Sequence, residues 1–187
     1  MRNIFIDCGA WTGDSVLEFI KHFKDYEIYA FECHPLLQNQ LQNLAKKHHF
    51  NLINKAAWIN DEPMKLYLGV NDLTQSSTLF SNKKKYIDKT KPVEVESIDF
   101  SKWIKDNFSP DDNIVCKMNI EGAEYDILEK MINDKTIKYI KRLYCAWHYN
   151  KLEGFPKKRH DKLHKQLSKL LDLRNWHYDE KVGENPY

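Results

Sequence analysis

Short apolar runs rich in strand-forming residues alternate along this chain with segments whose apolar residues recur at helical spacing. That alternation limits the folds open to it more than any single motif. The run "NIFIDC" (3–8) is followed by Val16, Leu17, Phe19, Ile20 and Phe23 at helical spacing. "EIYAFEC" (27–33) precedes a helix with Leu37, Leu41 and Leu44 on one face, and "FNLINKAAW" (50–58) reads as a third strand. "MKLYLG" then alternates as an antiparallel strand does, and "NDLTQSSTLFSNKKK" is polar and loop-like. "VEVESI" (93–98) is a further short strand, and "DFSKWIKDNF" opens on an acidic cap and reads as a helix. "NIVCKMN", a helix over "AEYDILEKMI", a strand over "IKRLYCAWHY" (140–149) and a helix marked by Leu163, Leu167, Leu170 and Leu171 complete the pattern. No repeat, low-complexity tract or linker interrupts it, so one domain is expected over residues 1–187.

Strands that alternate with helices predict an α/β fold, a mostly parallel Rossmann-like sheet between two helical layers. Ligands of such sheets bind beyond the carboxyl ends of the strands. Asp7 to Gly13, Glu32, Ala57–Trp58, Asn119 to Glu124 and Trp147 to Asn150 are therefore expected to converge. At 42% hydrophobic residues the composition is globular rather than disordered, and a formal charge of +2 implies no strongly charged partner. No apolar run approaches a membrane span, and "MRNIFID" lacks the features of a secretory signal. The four cysteines form no CxxC pair and lie in or beside apolar runs, which points to buried, reduced thiols and a cytoplasmic protein.

"DCGAWTG" places Asp7, Gly9 and Gly13 after the first strand, where glycine lets the backbone turn tightly and lets a ligand approach. Glu32 ends the second strand, 19 residues beyond Gly13, and a carboxylate there can accept both hydroxyls of an adenosine ribose. A dehydrogenase would use the same acid. Trp11, however, stands where its phosphate-binding loop needs a second glycine, and Asp7 is awkward beside a pyrophosphate but comfortable with a cationic ligand. Those details favour S-adenosylmethionine over a dinucleotide.

In this order "DCGAWTGDS", "YAFECHP", "NKAAW", "VEVESID" and "KMNIEGAEYDIL" resemble the FkbM-type methyltransferases, also termed methyltransferase family 21, over about residues 3 to 149. The resemblance implies a three-layer α/β/α class I methyltransferase sheet of seven strands, S-adenosylmethionine as donor, and O-methylation of a hydroxyl on a sugar or secondary metabolite. It places Asp7, Gly9, Ala10, Trp11 and Gly13 in the cofactor loop, Glu32 on the ribose, and Ala57 and Trp58 near the adenine. The chain departs from the family pattern where Asn119 replaces Asp and where Cys33 and His34 separate Glu32 from Pro35. Only "NWHYDEKVGENPY" follows the last helix, so the sheet is expected to be shortened at its C-terminal edge.

A hydroxyl acceptor needs a base or a metal to become nucleophilic. Asn119, at the tip of the fourth main strand, is expected to hold the methionine end of the donor. Glu121, exposed by Gly122, and His148 on the adjacent strand tip form the expected proton-handling pair. Asn119, Glu121 and His148 are also a conceivable set for a divalent metal, but their spacing matches no standard motif. Glu124 is expected to serve the positive end of its helix, and Lys117 to pair with an acid. The loop around Ser76, Ser77 and Thr78 is expected to fold over the site. The expected acceptor is a small molecule or glycan. The basic runs "SNKKKYIDKTK" and "PKKRHDKLHKQLSK" keep an RNA or protein acceptor as the alternative, although acids dilute both and a solvated surface explains them. A cofactor-fold binding protein without turnover is the rival of another class.

Overall fold

The computed structural model describes residues 1–70 and 74–176. Its elements run β1 (Asn3–Cys8), α1 (Asp14–His22), β2 (Glu27–Phe31), α2 (Gln38–His48), β3 (Asn51–Ile53), β4 (Ala56–Trp58) and β5 (Met64–Leu66). They continue with β6 (Val93–Val95), β7 (Ser97–Asp99), α3 (Phe100–Asn107), β8 (Asn113–Met118), α4 (Glu124–Asn133), β9 (Ile140–Cys145), α5 (Lys157–Leu167) and β10 (Asp172–Asn175). Six of the strands form one parallel sheet in the order β10-β9-β8-β1-β2-β3.

The pleat of the central strands decides which helices lie on which face. Ile4, Ile6 and Cys8 of β1 pack with Ile114, Cys116 and Met118 of β8 and with Leu143 and Cys145 of β9. On that face they meet Phe100 and Ile104 of α3, Ile127, Leu128 and Met131 of α4, and Leu163 and Leu167 of α5. The intervening residues Phe5, Val115 and Tyr144 point the other way, onto Val16 and Phe19 of α1 and Ala45 of α2. Phe5 and Phe19 stack with ring centroids 3.8 Å apart, and burying each ring stabilises the fold by about 2–3 kcal/mol. The result is the expected α/β/α sandwich. Among the described residues no helix is long and apolar enough to cross a membrane.

Four local expectations are corrected. The run 50–58 is two strands, because Lys55 N–H turns back to the Ile53 carbonyl at 2.8 Å and sends β4 out of the main sheet to pair in parallel with β7. The run 93–98 also divides, β6 pairing antiparallel with β5 and β7 with β4. The strand expected to reach Tyr149 ends at Cys145, because His148 N–H bonds the Glu124 carboxylate instead of a neighbouring strand. The polar stretch after α5 contributes β10, parallel to β9 through Asp172↔Arg142 to Asn175↔Cys145. The described residues thus give the main sheet six strands where the resemblance implied seven. The hairpin expected from the end of the chain falls mainly on 177–187, outside the described residues.

Candidate active site

Beyond the carboxyl ends of β1, β2, β4 and β8 lies a cavity of about 230 Å³. Of the residues expected there, Gly9, Ala10, Trp11, Glu32, Ala57, Asn119 and Glu121 line it. Asp7, Gly13, Trp58 and His148 stand behind the wall, outside the lining set. Thr74, Gln75, Ser77, Thr78 and Leu79 close the cavity from the polar loop, as its composition led us to expect.

At the donor end the Glu32 carboxylate is held from both sides. Trp11 N–H donates to Oε2 and His34 N–H to Oε1, each at 2.8 Å. Burial pushes its carboxyl above the usual range, and those two N–H groups oppose the shift. Each oxygen keeps a lone pair for a further donor. Trp11 adopts a left-handed φ of 48°, and its indole N–H reaches Thr74 Oγ1 at 2.7 Å, so one residue spans the carboxylate and the loop above it.

The glycines answer to packing as well as to any ligand. A Cβ on Gly9 would stand 2.2 Å from the Asn119 carbonyl, and one on Gly13 would stand 2.4 Å from Leu44 Cδ2. Asp7 does not face the cavity as a free anion. Lys117 is its register partner on β8 and donates to Asp7 Oδ1 at 2.8 Å and to the Gly9 carbonyl at 2.8 Å. Ser15 Oγ donates to the other Asp7 oxygen. Lys117 thus pairs with an acid as expected, and it is the cation beside Asp7, where the sequence led us to expect a cationic ligand. Trp58 packs edge-on against Phe80, with centroids 5.8 Å apart, instead of lending its face to the cavity.

At the other end Glu121 (φ 53°) and Gly122 (φ 118°) turn the chain from β8 into α4 and leave Glu121 on the cavity wall. Its Oε2 accepts from Lys83 at 2.6 Å, and its Oε1 from Lys151 at 2.9 Å and from His148 Nε2 at 3.2 Å. The opposite ring nitrogen, His148 Nδ1, lies 3.0 Å from Glu124 Oε1. Burial works to raise the Glu121 carboxyl, but the His148 hydrogen bond and the charges of His148, Lys83 and Lys151 outweigh it and hold the group well below the usual range. Burial opposes charge on His148 in turn, yet Glu124 and Glu121 raise it to about 9. Both shifts favour an anion beside an imidazolium.

A family model for the methyltransferase FkbM domain matches residues 7–179. The chain belongs to the FkbM methyltransferase family. A solved FkbM methyltransferase from Methylobacillus flagellatus KT is similar at 15% identity and a TM-score of 0.56, a likeness of fold. The match covers 91% of this chain and 38% of that one, so this FkbM chain spans well under half the length of that relative. A search of curated proteins finds no match.

Sequence reasoning left part of the role of three residues of this FkbM site unread. Lys83 belongs to a basic run expected to be solvated, yet it is 2% exposed and bonds the Ser76 carbonyl as well as Glu121. Nothing in the run distinguishes it from Lys84 or Lys85. Glu124 does sit in the first turn of α4, but its carboxylate is fully buried and clamps the Gly122 N–H at 3.0 Å and the His148 N–H at 2.9 Å. Thr78 Oγ1 donates to the Glu121 carbonyl at 2.8 Å. The Asn119, Glu121 and His148 set does not suit a divalent cation, because two ammonium groups already occupy Glu121 and both imidazole nitrogens face carboxylates.

Proposed function

We propose that this FkbM-family chain is an S-adenosylmethionine-dependent methyltransferase that methylates a hydroxyl of a sugar or other small-molecule or glycan acceptor. The observation that carries the reading is the Glu32 carboxylate, fixed by two backbone N–H groups on the cavity wall with lone pairs to spare for ribose hydroxyls. The rest of the wall suits the same donor. Phe31, Ala57 and Leu66 offer apolar surface to an adenine, and Asn119 lines the same wall, where its amide would hold the methionine end. Gly9, Ala10 and Trp11 form the loop beneath, with Asp7 and Gly13 supporting it from behind. When bound, the donor supplies a sulfonium methyl group for in-line displacement by the acceptor oxygen.

Of the expected proton-handling pair, Glu121 is the member that meets an acceptor. Among the described residues its Oε2 is engaged by Lys83 alone, and it retains room for an acceptor hydroxyl, which it orients by accepting the hydrogen. His148 donates to it from behind. An RNA or protein acceptor is less favoured, since several cations of the basic segments are already paired: Arg159 with Asp126 and Glu129, Lys157 with Asp161, and Lys83 with Glu121. The free state of all four thiols supports a reducing, cytoplasmic setting.

Calorimetric titration with S-adenosylhomocysteine, with NAD in a parallel cell, tests the reading. We expect roughly micromolar binding of the first and none of the second, and its loss in Glu32→Ala. Binding of NAD instead would make the fold a dinucleotide site. Binding of neither would leave the non-catalytic binding protein as the better account.

A further inference from the structure

Buried behind the Glu121 wall is a chain of groups that the proposed function does not itself require. Glu124 is fully buried, and His148 is 5% exposed. The imidazole lies between two carboxylates, with Nδ1 3.0 Å from Glu124 Oε1 and Nε2 3.2 Å from Glu121 Oε1. A neutral imidazole carries one N–H, so it can satisfy only one of these oxygens and must turn a lone pair on the other. Only the doubly protonated ring donates to both.

Glu124 secures that ring in three ways. It accepts from the His148 backbone N–H at 2.9 Å, from the ring itself, and through Oε2 from Gly122 N–H at 3.0 Å. Gly122 directly follows Glu121, so the same carboxylate grips the backbone on both sides of the cluster. Lys83 and Lys151 sit on the far side of Glu121 and oppose the charge on His148, and a buried charge there persists only because it is paired.

We propose that Glu124 is a positioning residue for Glu121: by holding His148 as a double N–H donor it fixes the Glu121 carboxylate, as an anion, toward the acceptor side of the cavity. The inference rests on the methyltransferase reading for its purpose but not for its test. A 15N-resolved NMR titration of the His148 ring, its signal assigned by its loss in His148→Gln, reads the protonation state directly. In the wild-type protein the ring should remain doubly protonated through neutral pH and titrate near 9. In Glu124→Gln its proton affinity should fall by about tenfold or more, a drop of at least one pH unit in the midpoint.

A neutral wild-type ring at neutral pH would overturn the proposal, as would an unchanged midpoint in Glu124→Gln. Should that variant not fold, Glu121→Gln serves, because losing the second carboxylate must also lower the midpoint. No change there would be equally fatal. S-adenosylhomocysteine binding is measured on the same wild-type sample. Its absence would sink the cofactor reading while leaving the His148 result to stand.

Discussion

Gly9 shows how closely the residues at this site are constrained. Its φ of 84° lies in the region that side chains avoid, and an added Cβ would stand 2.2 Å from the Asn119 backbone oxygen. Gly9→Ala should therefore cost about 2–4 kcal/mol in denaturant unfolding, a sum of backbone strain and displaced strand. An unchanged midpoint would mean that the loop yields more easily than its packing implies. At Glu121 two effects must be separated. Glu121→Ala leaves the Lys83 ammonium buried without its carboxylate, which should cost about 3–5 kcal/mol in stability. In the folded protein, turnover should be lost while S-adenosylhomocysteine still binds. Equal loss of binding would make Glu121 a cofactor or structural residue. The Asp7–Lys117 contact was legible in outline, because strand alternation set Lys117 opposite its apolar neighbours; the partner on β1 required the register.

Among the elements, the loop after β5 is held by contacts to two others. Thr78 bonds the Glu121 carbonyl, Lys83 the Glu121 carboxylate, and Asn82 and Lys84 the backbone around Asn150 to Glu153. Thr78→Val combined with Lys83→Met should release this clasp. Hydrogen exchange should then rise across residues 76–84 and stay slow in β1 and β8. Exchange that rises everywhere would show the clasp to be part of the global core. Polarity alone marked this segment as a loop over the site. Which of its lysines turns inward was not legible, since three stand in a row and only the position of Glu121 selects Lys83.

At the scale of the whole molecule, two buried ion clusters brace the carboxyl ends of the sheet, Asp7 with Lys117 and Glu121 with its partners. The second makes stability depend on pH. His148 is raised from 6.5 to about 9 in the folded chain, so its stabilising contribution is complete below 6.5 and disappears as pH rises through 9. Glu121 is lowered from 4.5, so its contribution is present above 4.5 and disappears as pH falls through its depressed value. Unfolding free energy should decline from pH 6.5 to 9. His148→Gln should flatten that limb, and a flat wild-type profile would contradict the buried imidazolium.

Strand–helix alternation, read with the turn residues between the runs, was enough to determine an α/β sandwich and to bring five loops to one end of it. Those signals are local: side-chain period, capping and glycine placement act within a few residues, so they survive in the one-dimensional chain. The distance from Gly13 to Glu32 carried the cofactor expectation for the same reason. Only the tertiary structure decided that 50–58 breaks into two sheets, that β10 joins the edge, that Trp58 faces Phe80, and that Lys83, Lys151 and His148 enclose Glu121. Each of those outcomes depends on a partner tens of residues away in sequence. The free energy of a buried charge or a strand edge is settled by what finally stands beside it.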